Sequence, residues 1–210
     1  MNKEDRNIPK KFQNVDKTFI DRVYSEQEKS QFSGFSAFPK KISFYGRDKD
    51  EEIVFVVRKH WIAYLPDLLY ILLVLLLPFF FVYLFSILQI FLTPAIYVGI
   101  LLLSIGIACT LAVTTFLKWY YTLHIITDER IVIVRMDNAF YHSFAEAQLE
   151  KIEDITHTQS GMLGTVFDVG NVDIDTAGHD IDFRLSMIPH PREMQDILND
   201  LLEIKQEGGL

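Results

Sequence analysis

The sequence predicts a membrane-embedded α-helical hairpin joined to a β-rich α+β domain whose antiparallel sheets are capped by a C-terminal helix. Three observations carry this. Residues 68–117 are fifty consecutive positions without Lys, Arg, Asp or Glu, and a run that long without charge belongs in lipid. Pro94 divides the run near its middle, and proline disfavours helix in the residue before it. After residue 121 the pattern turns to short alternating runs, then to apolar residues at helical spacing.

Charge divides the 210 residues into unequal parts. Residues 1–67 hold 13 Lys+Arg and 11 Asp+Glu, a net of +2; residues 68–117 hold none; residues 118–210 hold 7 and 17, a net of −10. The total of −8 argues against a nucleic-acid partner, which needs a basic surface to neutralise phosphates. The single cysteine, Cys109, excludes an internal disulfide framework. The first long apolar run starts after residue 60, so no cleaved secretory signal is expected at the N-terminus.

Residues 1–41 are expected to be a mobile extension. Within them, Asp16–Glu28 has Phe19, Ile20, Val23 and Tyr24 on one side of a short amphipathic helix. Such a helix needs a packing partner to persist. Phe32, Phe35 and Phe38 punctuate a linker and are candidates to dock on a partner or on the C-terminal domain. Residues 42–67 form the approach to the membrane. There Ile42–Phe44 and Ile53–Val57 read as strands around the turn-prone Gly46–Asp50.

The charge-free run exceeds the ~20 residues one crossing needs. It is read as one helix near Leu68–Leu92 and a second near Ala95–Leu117. The first has 20 Leu, Ile, Phe or Val among its 25 residues. At roughly −0.3 to −0.6 kcal/mol each, insertion is favoured by on the order of 6–12 kcal/mol. Pro78 should kink this helix and free a carbonyl that a neighbour must satisfy. Arg58, Lys59, Trp61 and Tyr64 precede the hairpin, and Lys118, Trp119, Tyr120 and Tyr121 follow it. Cations with Trp and Tyr mark a membrane interface. The opposite loop carries no charge, so both termini are expected in the cytoplasm of a multi-pass protein of the cell (inner) membrane. Small residues at Ser104, Ala108 and Ala112, and at Ala95 and Gly99, repeat every four positions. They suit close packing of the second helix on the first, or on a second copy.

Residues 118–207 form the β-rich domain. Leu123–Ile126 and Ile131–Val134 flank a four-residue hairpin loop, Thr127–Arg130. His142–Leu149 is a further strand candidate. Asn171–Thr176 alternates with Val172 and Ile174 inward, and Ile181–Met187 alternates across the turn Ala177–Asp180. Pro191 opens the last helix, with Met194, Ile197, Leu198, Leu201 and Leu202 at helical spacing.

Two apolar helices followed by such a tail resemble the bacterial PH-like domain family in its membrane-flanked form. The resemblance rests on Tyr121-x-Leu123, Thr127-Asp-Glu-Arg-Ile131, Leu149-Glu-Lys-Ile-Glu-Asp-Ile155 and Ser160-Gly-Met-Leu-Gly-x-x-Phe-x-Val-Gly170. The stretch Glu51–His60 resembles the family's approach to its first helix, and coverage is roughly residues 50–205. The resemblance implies two orthogonal antiparallel sheets closed by the C-terminal helix, and it carries no catalytic mechanism. Members are often basic after the second strand of this domain, whereas Arg135 is followed here by Met136-Asp137-Asn138.

The remaining motifs point to no chemistry. Gly161-x-x-Gly164…Gly170 lacks the Gly-Lys-Ser/Thr end of a phosphate loop, and a domain at −10 repels an RNA backbone. Asp173-x-Asp175-x-Ala177-Gly178 starts like a calcium loop but has Ala177 at its fifth position and Arg184 at its twelfth. Asp175, His179 and Asp180 read as a surface turn. His124, His142, His157 and His190 show no metal spacing, and no Gly-x-Ser-x-Gly or Cys/His pair is present. No ionisable residue lies in the hairpin to relay protons; Ser86 and Gln89 are read as helix–helix hydrogen-bonding groups. No enzyme activity, cofactor, metal or small-molecule substrate is expected. The expected partners are the lipid bilayer and a protein, possibly a second copy, tethered at the cytoplasmic face. The candidate surfaces are sheet edges and the acids Asp173, Asp175, Asp180 and Asp182. A lipid-sensing module and an accessory subunit of a transport complex are the alternative readings.

Overall fold

The computed structural model describes residues 8–30, 34–40, 42, 44, 46–90, 93–138, 141–159, 161–177 and 183–209. Phe32, Ser43, Leu92, Ser160 and the tip 178–182, with His179, Asp180, Ile181 and Asp182, lie outside them. The chain divides into two units: the β-rich domain, built from Met1–His60, Thr122–Arg135 and His142–Leu210, and the hairpin Trp61–Tyr121, with which Met136–Tyr141 groups.

The β-rich domain begins with the N-terminal segment. A 3-10 turn at Lys10–Asn14 buries Phe12, and α1 (Lys17–Lys29) follows. Asp16 caps α1 by accepting from the Thr18 N–H at 3.1 Å, which satisfies one of the unpaired donors of a first turn. Phe19, Ile20, Val23 and Tyr24 are all buried in the same core as the C-terminal helix. Phe35 and Phe38 join that core: Phe35 stacks on Phe55 at 5.2 Å and Phe38 meets Phe12 at 5.4 Å. The expectation of a mobile extension is therefore corrected for residues 8–30 and 34–40. The physical reason is a partner far along the chain, because the apolar stripe of a short helix becomes stabilising once it has a surface to cover.

Five strands form one antiparallel sheet: β1 (Ser36–Ala37), β2 (Ile53–Arg58), β3 (Leu123–Thr127), β4 (Arg130–Asn138) and β5 (Tyr141–Gln148), in that order. Ile42 and Phe44 lie outside any strand and instead cover Ile53, Val56, Ile125 and Val132 on the outer face of this sheet. β2 is buried on both faces. A register shift between Ile53 and Phe55 places Val54 and Phe55 together in the main core, as a bulge does by breaking the two-residue alternation.

The second sheet is β6 (Ile152–Thr158), β7 (Val169–Thr176) and β8 (Phe183–Pro189), antiparallel throughout. Between β6 and β7 sits a short helix, α4 (Gly161–Phe167), over the Gly161-x-x-Gly164 stretch. Val172 and Ile174 point into the core as their alternation predicts. α5 (Pro191–Gln206) closes the domain with Met194, Ile197, Leu198 and Leu201 completely buried.

The hairpin consists of a 3-10 turn, Trp61–Tyr64, then α2 (Leu65–Ile87) and α3 (Pro94–Tyr121). At 1.5 Å per residue they are about 35 and 42 Å long, and both are long and apolar enough to cross a membrane. Only 11% of the most apolar window of each is buried, unlike a core helix of a soluble protein. The contact between them uses small residues: Val74 and Pro78 of α2 are buried, as are Ser104 and Ala108 of α3. Pro78 has no N–H to give to the Val74 carbonyl four residues earlier. The Ser104 hydroxyl donates to that carbonyl at 2.7 Å. Ala95 and Gly99 remain exposed.

Candidate functional site

The residues expected as membrane-interface anchors lie at the ends of three elements. Trp61 and Tyr64 lie in the 3-10 turn, and Lys118, Trp119, Tyr120 and Tyr121 close α3. Trp61, Tyr64, Phe116 and Trp119, with Leu68, Ile71, Ala112 and Thr115, line an apolar depression of about 280 Å³. Phe116 stacks on Tyr120 at 6.2 Å and meets Trp119 at a tilt at 5.9 Å. Arg58 ends β2 in the other unit and Lys59 follows it.

The strongest polar constellation of the β-rich domain surrounds the tip between β3 and β4. The expected four-residue loop is tighter than that. Only Asp128 and Glu129 stand between the strands, because the Thr127 hydroxyl accepts from the Glu129 and Arg130 N–H groups at 3.2 and 2.9 Å. A hydroxyl that bonds the backbone two and three residues on builds such a turn itself. The same hydroxyl lies 2.7 Å from Glu51 Oε1. Glu51 is fully buried; Arg130 meets it as a fork, Nε to Oε1 at 3.0 Å and Nη2 to Oε2 at 2.9 Å. The Asp48 N–H adds a bond to Oε2 at 3.1 Å. Burial pushes the Glu51 carboxyl up, but the Arg130 and Thr127 bonds outweigh it and hold the group below the usual carboxylate range. The bond to Glu51 also holds the Arg130 guanidinium firmly charged. Asp128 accepts from the Glu52 N–H at 2.8 Å and from Lys11 Nζ at 2.6 Å. The acid and the base of Thr127-Asp-Glu-Arg130 thus pin two distant segments, the N-terminal turn and the start of β2.

A polar cleft of about 280 Å³ opens beside this lock, lined by Asp48, Glu129, Arg130, Glu146, Gln148, Glu150 and Lys205. Carboxylate oxygens of Asp48, Glu51 and Glu129 come within 4.8 Å of one another. Both Glu51 oxygens are already committed to Arg130, so the guanidinium supplies the positive charge there.

A second cluster joins the end of α1 to the start of α5. Glu26 and Ser30 are buried; Ser30 Oγ donates to Glu26 Oε1 at 2.8 Å and lies 3.3 Å from His190 Nδ1. Glu26 also meets His190 Nδ1. Serine and carboxylate thus share one ring nitrogen, whereas a nucleophile relay needs them on opposite nitrogens. This is a tie between helices, reinforced by Arg22–Asp200 at 2.5 Å and Lys29–Glu193 at 3.6 Å. His190 adopts a left-handed conformation at the N-cap of α5.

The other candidates disperse. Asp173 on β7 pairs with Arg184 on β8 across the register, and Asp175 is exposed. Asp180, Asp182 and His179 lie outside the described residues. His157 contacts Gln195 of α5. His124 on β3 is completely buried, and neither ring nitrogen has a hydrogen-bond partner among the described residues. Burial, with Lys59 and Arg135 nearby, pushes its imidazole down to about 3. Glu51, Glu26 and Ser30 escaped sequence reasoning because their partners lie far along the chain; the signal present was an acid pair at the start of an apolar strand.

A family model described as Bacterial PH domain covers residues 60–202, more than half of the chain. Glu51, Asp48 and the N-terminal helix fall outside it. No curated protein and no solved structure matches.

Proposed function

The chain belongs to the bacterial PH domain family, and from that premise we propose that it is a membrane-anchored interaction module, holding a protein partner at the cytoplasmic face of the cell membrane. The family description supports a binding or interaction role. The observation that carries the anchoring is continuity: α3, uncharged up to Lys118 in its last turn, ends at Tyr121 and β3 begins at Leu123, so one residue, Thr122, separates the helix from the domain. Cations and aromatic residues concentrate at that end of the helices, which favours the cytoplasmic side for the domain and both termini.

Tethering works by concentration. A domain held at the bilayer meets a membrane-bound or membrane-proximal partner at a raised effective concentration without any added contact. The acidic rim of the cleft beside Arg130, with Asp48, Glu129, Glu146 and Glu150, offers a basic segment of that partner a complementary surface. The same charge disfavours anionic headgroups as the ligand, since the segment from residue 118 onward carries a net of −10. Chemical cross-linking of the full chain in native membranes tests the proposal. The expected result is a discrete cross-linked species containing a second protein or a second copy. Capture of neither overturns it.

A further inference from the structure

Helix α4 is built inside out. Its one buried residue is a glycine, Gly164. A Cβ there would stand 2.9 Å from the Val169 carbonyl oxygen, so only glycine lets the helix lie this close to the start of β7. The large apolar side chains point the other way: Met162 is 80% exposed, Val166 69%, Leu163 45% and Phe167 44%. Positions i, i+1, i+4 and i+5 share one helix face. Soluble domains bury that face and expose the small or polar one.

We infer that α4 is a shallow membrane-insertion element, whose Met162, Leu163, Val166 and Phe167 enter the acyl boundary of the bilayer. The inference rests on the proposed anchoring of the hairpin. Two features on the page favour lipid over a protein occupant. First, the segment 158–167 carries no charge, and its exposed face lacks the Arg, Tyr and Trp that anchor protein interfaces within a polar rim. An aliphatic face with one Phe asks for an apolar medium and little more. Second, the connections are short: Thr122 alone separates α3 from β3, and two residues and one 3-10 turn separate β2 from α2. A domain so tethered meets lipid at a raised effective concentration, and an apolar face that costs free energy in water gains from that encounter. Because the segment 158–167 itself carries no charge, its insertion is apolar in origin and needs no anionic headgroup, unlike the binding of basic interfacial helices.

The test uses the full chain with Cys109→Ala, reconstituted in phosphatidylcholine vesicles. A nitroxide is attached at Met162→Cys or Val166→Cys, both at exposed positions that folding does not need. Collision with oxygen, which partitions into lipid, is compared with collision with a water-soluble nickel chelate. Leu103→Cys on the exposed face of α3 and Glu203→Cys on the exposed face of α5 serve as references. The proposal expects oxygen to dominate at 162 and 166, at a shallower depth than at 103, with the nickel reagent dominating at 203. Adding anionic lipid leaves the result unchanged. Nickel dominance at 162 and 166 with oxygen dominance at 103 overturns the α4 proposal and leaves the hairpin standing; nickel dominance at 103 as well overturns the anchoring beneath it. Spin–spin broadening at 166 that dilution with unlabelled chain removes assigns the face to a second copy and overturns insertion. A depth signal seen only with anionic lipid overturns its apolar origin.

Discussion

Replacing Arg130 by Met strips the buried Glu51 of the fork that keeps it charged. Glu51 is 0% exposed and takes two of its four hydrogen bonds from Arg130; the others come from Thr127 and the Asp48 amide. Removing one partner of a buried pair leaves an uncompensated charge and costs about 3–5 kcal/mol. For a chain of this size, about 2–4 °C per kcal/mol lowers the melting temperature by roughly 6–20 °C. The reciprocal change, Glu51→Gln, is milder. Arg130 keeps Asp48 and Glu146 at 3.2 and 3.1 Å and remains 17% exposed to water. The acid limb gives an independent sign. With its pKa depressed below the ordinary 4.5, Glu51 contributes stability above that pH, which is lost as pH falls through the folded-state value. In Arg130→Met the carboxyl loses the Arg130 bonds that hold it down, so burial is opposed only by the Thr127 and Asp48 bonds and the group moves up; the deficit against the parent chain therefore shrinks in acid. Pulse proteolysis in urea on the detergent-solubilised full chain, at pH 7 and pH 4, reads both effects. Equal costs for the two variants, or a deficit that grows in acid, would refute the reasoning.

Four further outcomes follow from the same geometry. Ser104→Ala orphans the Val74 carbonyl and weakens the hairpin by about 0.6–1.7 kcal/mol; adding Pro78→Leu restores an N–H and recovers the loss, measured by SDS titration in bicelles. His124→Leu removes two unsatisfied buried nitrogens and stabilises the domain by about 1–3 kcal/mol. Because the His124 imidazole sits near 3 when folded, the parent loses stability as pH falls from the ordinary histidine value of 6.5 toward 3, and that slope flattens in the variant. Phe19→Ala costs about 3–5 kcal/mol and exposes Lys29 and Arg22 to trypsin, which an unattached N-terminal arm would not do. Gly170→Ala, whose Cβ would collide with the Thr158 carbonyl oxygen and meet Pro191 at 3.0 Å, fails to accumulate as protease-resistant protein.

What was legible in the sequence is what local pattern dictates. A fifty-residue absence of charge locates two helices wherever the rest of the chain goes, and strict alternation fixes the inward faces of β7 and α5's partner strands. That Pro78 frees a carbonyl was foreseeable, while Ser104, which satisfies the Val74 carbonyl from thirty residues on, was legible only as a small packing residue. The N-terminal helix was recognisable by its Phe19–Tyr24 stripe, but its destination on α5 was not, since that contact spans 178 residues at Arg22–Asp200. The lock at Thr127–Arg130 read as a plain hairpin loop because Glu51, 79 residues earlier from Arg130, is what gives it meaning. α4 was hidden for another reason: seven residues bounded by glycine carry too little periodicity to be told from a loop.

The account stands or falls on the hairpin crossing the membrane once each way, with the PH domain and both termini inside the cell. In the Cys109→Ala background, Thr93→Cys and Glu207→Cys are probed with a membrane-impermeant maleimide in intact and permeabilised spheroplasts. Labelling of position 93 in intact cells, and of position 207 only after permeabilisation, is the predicted pattern. Labelling of position 207 in intact cells, or of position 93 only after permeabilisation, contradicts it.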